Sequence, residues 1–123
     1  MAVIDYVTLK INRTSYPHGH TCSIDYSYLI TVDSGEYDEE VTFSVSCMLC
    51  GHDFMHNKKL GEPPYDVHTI SSRDKMPVVR GFLVPCSLLD EAWGEDQIFI
   101  KLLVQSSTGE TLRAQSEPVK DWF

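Results

Sequence analysis

The chain is short of positive charge, has no long apolar run and contains no repeat. Lys and Arg number 10 against 18 Asp and Glu in 123 residues, a formal charge of −8. A surface of that sign repels phosphate, which argues against nucleic acid and anionic lipid as direct partners. It leaves a basic protein, or the groove of a nucleic-acid-binding protein that an acidic decoy would fill. No stretch approaches the roughly 20 apolar residues that cross a bilayer. Residues 1–15 carry Asp5, Lys10 and Arg13 where a secretory leader needs a continuous apolar core, so the chain reads as cytoplasmic. Catalytic signatures are also missing. There is no Gly-x-Ser-x-Gly elbow, no His-Glu-x-x-His helix and no glycine-rich phosphate loop. Asp66, His68 and the serines would have to be assembled in space to hydrolyse anything, and the chain is read as a non-enzyme.

What is present is alternation. Cys22, Ile24, Tyr26, Tyr28, Ile30 and Val32 fall on one side of a run whose other side is Ser23, Asp25, Ser27, Thr31 and Asp33, with Leu29 the exception. Val41, Phe43, Val45, Cys47 and Leu49 alternate in the same way with Thr42, Ser44 and Ser46. Successive side chains of a strand point to opposite faces, so a period of two marks half-buried β-strands. Val3, Val7, Leu9 and Ile11 suggest an earlier strand on one face, and Ile98, Ile100, Leu102 and Val104 a later one. A weak strand is expected over residues 66–72, a stronger one over 78–84 and a polar last strand over 110–118. Asp33-Ser34-Gly35-Glu36 reads as a turn closing a long hairpin between residues 22 and 49, which would set Cys22 opposite Leu49. Ser106-Ser107-Thr108-Gly109 reads as a second hairpin turn. Ser87-Leu88-Leu89-Asp90 has the form of a capping box, so one or two helical turns are expected over residues 87–93.

About seven short strands and one helical turn, with no long helix, indicate an antiparallel β-sandwich. At 123 residues it forms a single domain, long enough to build one core. The order strand, helical turn, apolar strand, glycine turn and polar strand over residues 78–118 resembles the second half of an immunoglobulin-like domain. The hairpin between residues 22 and 49 departs from that topology, in which the second and third strands belong to different sheets.

Two constellations carry candidate chemistry. Cys47-Met48-Leu49-Cys50-Gly51-His52, with His56 beyond, has the Cys-x-x-Cys form that lets two thiolates reach one zinc ion, and His18, His20 or Cys22 would be alternative ligands. Against this, Cys47 continues the inward alternation of Val41, Phe43 and Val45, as a small apolar core residue would. The four cysteines, at positions 22, 47, 50 and 86, allow three disulfide pairings, and in a reducing cell they would be free thiols or metal ligands. Asp33, Glu36, Asp38, Glu39 and Glu40 crowd one tip without the regular spacing of a calcium loop. Phe54, Tyr65, Trp93, Trp122 and Phe123 fall where a core does not require them, and aromatics in such places favour a protein interface. The expected function is a protein-binding β-sandwich, part of a larger assembly, able to dimerise through an edge strand such as the polar last one. A zinc domain and an acidic decoy are the alternatives.

Overall fold

A computed structural model describes residues 2–14, 21–52, 57–59, 66–73, 77–86 and 96–121. Within them the chain is almost all strand: β1 (Val3–Thr14), β2 (Thr21–Thr31), a five-residue helix α1 (Ser34–Asp38), β3 (Thr42–His52), β4 (Asn57–Lys59), β5 (Asp66–Ser71), β6 (Val78–Pro85), β7 (Asp96–Ser106), β8 (Thr111–Gln115) and β9 (Val119–Asp121). The helical turn expected over residues 87–93 lies outside the described residues. Among those residues, no helix is long and apolar enough to cross a membrane.

The strands form two antiparallel sheets, as a β-sandwich requires. The small sheet runs β1-β2-β6. In the large sheet β3 and β7 are the central pair. The other edge of β3 is shared by β5, opposite Thr42–Cys47, and β4, opposite Cys50–His52. The other edge of β7 is shared by β8 and β9. Where β8 ends, Ser116 keeps the ladder closed: its N–H donates to the Ile100 carbonyl and its hydroxyl accepts from the Ile100 N–H.

The alternating runs supply the core as expected. Ile24, Tyr26, Tyr28 and Ile30 of β2 face Phe43, Val45, Cys47 and Leu49 of β3 and Ile98, Ile100, Leu102 and Val104 of β7, all essentially inaccessible to water. The hairpin between residues 22 and 49 does not form. β2 is flanked by β1 and β6, and β3 lies in the other sheet, so the two strands meet face to face. Alternation states which face is buried and not which strand is the neighbour. The crossing is made by α1, entered through the Tyr37 N–H to Asp33 C=O bond at 3.1 Å, and by Glu40 at φ 54°. Arg73 caps this tip by donating to the carbonyls of Tyr37 and Asp38, both at 3.1 Å.

One face assignment is also corrected. Val3 does not share a face with Val7, Leu9 and Ile11: it is 47% exposed, and Ile4 packs against the core instead. Between the pairs Asp5↔Leu29 and Thr8↔Ser27, two residues of β1 oppose one of β2. This bulge, with Tyr6 at φ 55°, inserts one residue and exchanges the inward and outward positions before it.

Candidate functional site

The sandwich is closed along one side, between the edge strands β5 and β6, by a polar cluster. Asp66 and His68 occupy alternate inward positions of β5, in line with buried Ile70, and Arg80 occupies an inward position of β6. Asp66 accepts two bonds from the Arg80 guanidinium, Nε to Oδ2 at 3.0 Å and Nη2 to Oδ1 at 2.9 Å. The Tyr26 hydroxyl donates to the same Oδ2 at 2.5 Å. Tyr28 Oη and His68 Nε2 share a bond of 2.5 Å. His68 Nδ1 is buried 3.5 Å from Asp66 Oδ2 and has no hydrogen-bond partner among the described residues. The cluster therefore clasps β2 and β6 of the small sheet to β5 of the large one.

Its electrostatics follow from these contacts. The Arg80 bonds hold the Asp66 carboxyl below its ordinary range. Burial lowers the His68 imidazole and raises both tyrosine hydroxyls, so all three stay neutral around pH 7. Burial also pushes the Cys47 thiol up to about 12, far from the thiolate that a nucleophile or metal ligand needs. The groups bond to one another and face the core, as a structural network does.

Of the residues singled out for zinc, Cys47 and Cys50 are both buried and neither is in a disulfide. Cys47 points into the core with Val45 and Leu49, whereas Cys50 stands on the outer face of the large sheet beside its strand partner Phe99. Three residues along a regular strand place two side chains on opposite faces, so this pair does not converge on one ion. His52 ends β3, but its side chain lies outside the description, as do His18, His20 and His56. Among the described residues no set of three His, Cys, Asp or Glu is placed to hold a metal. Phe54, Tyr65, Trp93, Trp122 and Phe123 lie outside the described residues as well. Cys22, entertained as a ligand, is instead bonded to Cys86 with a Cα–Cα distance of 5.1 Å, which ties β2 to the end of β6.

A groove of about 610 Å³ lies on the outer face of the large sheet, lined by Met48, Lys101, Leu103, Arg113 and Gln115 with the backbone of β7 and β8 beneath. Alternation places these side chains outward: Met48 on β3, Lys101 and Leu103 on β7, Arg113 and Gln115 on β8. Cross-strand register sets Leu103 beside Arg113 and Lys101 beside Gln115. The Lys101 ammonium sits 5.9 Å from the Phe99 ring centroid. β3 and β8 contain no acidic residue, and β7 only Asp96 at its start. Among the described residues neither Lys101 nor Arg113 is paired with a carboxylate. The sequence carried this signal in two outward cations on neighbouring strands, but finding it requires knowing that β8 follows β7 in one sheet.

No protein-family model and no curated protein matches the chain. Among solved structures it is similar to one described as "X-ray structure of Northeast Structural Genomics Consortium target SoR45", at 12% identity and a TM-score of 0.42, over 99% of this chain and 86% of that one.

Proposed function

We propose that this β-sandwich is a non-enzymatic protein-binding module whose contact surface is the groove on the large sheet, and that its partner presents an acidic segment bearing an apolar side chain. The observation that carries the reading is a local inversion of charge. In a chain of net charge −8, this face sets Lys101 and Arg113 diagonally on neighbouring strands, with no carboxylate opposite either among the described residues, around apolar Met48 and Leu103. An apolar floor rimmed by cations is the complement of such a segment. The strand order β1-β2-β6 against β5-β3-β7-β8 supports an immunoglobulin-like architecture for the module. The Cys22–Cys86 bond supports work in an oxidising compartment rather than the cytoplasm.

The test is affinity purification from the native source with the wild-type chain and the Lys101→Glu/Arg113→Glu variant, quantified side by side. Both substituted positions face solvent at a sheet surface, so the melting temperature should hold within a few degrees. A partner recovered by the wild type should be lost by the variant, and its recovery by the wild type should fall steeply between low and high salt. Equal recovery by both chains, or recovery indifferent to salt, defeats the assignment.

A further inference from the structure

The tip that crosses from β2 to β3 is itself an acidic segment bearing an apolar side chain. Residues 33–40 hold the carboxylates of Asp33, Glu36, Asp38, Glu39 and Glu40 around Tyr37. Asp33, Asp38, Glu39 and Glu40 are exposed, and Tyr37 is 51% exposed. Large apolar side chains are also exposed at Val3, Tyr6, Val67, Val79 and Leu83, but none of these has more than one carboxylate within four residues along the chain. The tip is also held in place. Arg73 donates to the carbonyls of Tyr37 and Asp38, and its guanidinium lies 5.6 Å from the Tyr37 ring centroid. Ordering that a partner would otherwise have to impose is thus already made, which lowers the cost of binding.

We propose that this tip docks into the Lys101–Arg113 groove of a second copy of the chain, which rests on the groove being the contact surface and names its occupant. Charge complementarity selects the copy. The groove sets two cations around Met48 and Leu103, and the tip sets carboxylates around one aromatic ring. Tyr37 enters beside Met48 and Leu103 of the partner subunit, a thioether and an aliphatic chain that suit an aromatic face. Asp38, Glu39 and Glu40 follow Tyr37 directly. They meet Lys101 and Arg113 of the partner subunit, which stand at diagonal positions about 7–8 Å apart. A chain does not fill its own groove: the tip joins β3 at Thr42, and Met48 lies about 20 Å farther along the strand. Tip and groove are different surfaces, so the contact is heterologous and copies add in series, as a ring or an open chain. Two copies of charge −8 repel at long range. At physiological salt that repulsion is screened within about 8 Å, whereas the ion pairs of the groove act at about 4 Å. Association is therefore strongest near physiological salt. Net repulsion weakens it at about 10 mM, where the screening length is about 30 Å, and loss of the ion pairs weakens it at about 1 M.

The test is a charge exchange read by analytical ultracentrifugation of the full chain, from about 1 to 200 µM at physiological salt. The wild type should associate reversibly as concentration rises. Lys101→Glu/Arg113→Glu, which reverses the groove, and Glu39→Lys/Glu40→Lys, which reverses the tip, should each be monomeric alone, with unchanged circular dichroism spectra. The tip variant keeps the Arg73 bonds, because these go to the carbonyls of Tyr37 and Asp38. An equimolar mixture of the two variants should associate again, since each tip then meets a groove of opposite sign on the other chain. Both variants stay acidic overall, so attraction between net charges does not explain the recovery. Tyr37→Ala should weaken association about tenfold. A wild type that stays monomeric at the highest concentration overturns the proposal. So does association that survives either charge variant alone, or a mixture that stays monomeric. The groove reading fails separately. A monomeric wild type that still recovers a partner from the native source, lost with Lys101→Glu/Arg113→Glu, keeps the groove and removes this occupant.

Discussion

The two edges of the small sheet face the same hazard and meet it differently. β1 is broken by the bulge at Tyr6 and carries Asp5 and Lys10 outward on either side of it. A bulge twists the edge away from a flat partner, and charges resist being stacked against another strand. β6 has no irregularity in its pairing with β2 from Thr21↔Pro85 to Tyr28↔Val78, and its only charge is consumed inside the sandwich. β6 is also the more firmly anchored edge, through Cys86 to Cys22 at one end and through Arg80 to Asp66 nearer the other. An edge held flat and straight is the better template for strand addition. The unbroken register of β6 is tied down by a covalent and an ionic anchor, while at β1 the chain's own irregularity gives protection without them.

Cutting the covalent tie should have the largest effect. The Cys22–Cys86 bond closes a sequence separation of 64 residues, for which loop-closure entropy gives about 4 kcal/mol, with measured values often nearer 2–3. Cys22→Ala/Cys86→Ala should lower the free energy of unfolding in urea by that amount and raise hydrogen exchange in β6 before β1. Equal loss of protection in both strands would show that β6 does not depend on its anchor.

The clasp ranks next. Asp66→Ala strips the acceptor from the Tyr26 hydroxyl and from the Arg80 guanidinium, and should cost about 2–3 kcal/mol, moderated because the Arg80 side chain is 40% exposed. Its pH dependence has a definite sign. The folded His68 is held below its ordinary 6.5 by burial, so the unfolded chain takes up a proton there that the folded chain resists. Stability is therefore full above pH 6.5 and declines as the pH falls below it. Asp66, held below 3.8 chiefly by Arg80, adds a second decline as the pH falls through its folded value. His68→Gln should abolish the first decline and leave the second. A stability profile flat from pH 7 to pH 5 in the wild type would mean that His68 is not held neutral by the clasp.

How much of this was legible in the sequence follows from what alternation encodes. Period two marked the inward residues of β2, β3 and β7, because each strand is buried on one face whatever lies beside it. The partners were not legible. Phe43 and Tyr28 show the same parity whether their strands lie side by side or face to face, and the expected hairpin chose the wrong arrangement. The clasp left a partial trace, since Asp66, His68 and Arg80 sit at inward positions where a core strand should be apolar. That anomaly signals buried polar pairing, but only the meeting of β5 and β6 across the sandwich identifies the pairs. The Cys22–Cys86 bond was one of three pairings that spacing alone could not separate. The outward cations of the groove look like ordinary surface charge until β7 and β8 are known to be neighbours.

The smallest expected effect tests the β1 side of the comparison. Tyr6 is held at φ 55°, a conformation that crowds the Cβ of any L-residue and costs roughly 1 kcal/mol. Its ring is 77% exposed, so little packing is lost with it. Tyr6→Gly removes the crowding and adds freedom to the unfolded chain, the second change costing about half of what the first returns. The net should be a gain of about 0.5 kcal/mol in denaturant unfolding, with the bulge retained. Tyr6→Val should lose about the same or more, since a β-branched residue is the least tolerant of positive φ. If the opposite ordering is found, with glycine destabilising and valine neutral, the bulge has relaxed to a regular ladder in solution. Ile4 would then turn outward, β1 would be as flat as β6, and the asymmetry between the two edges would disappear.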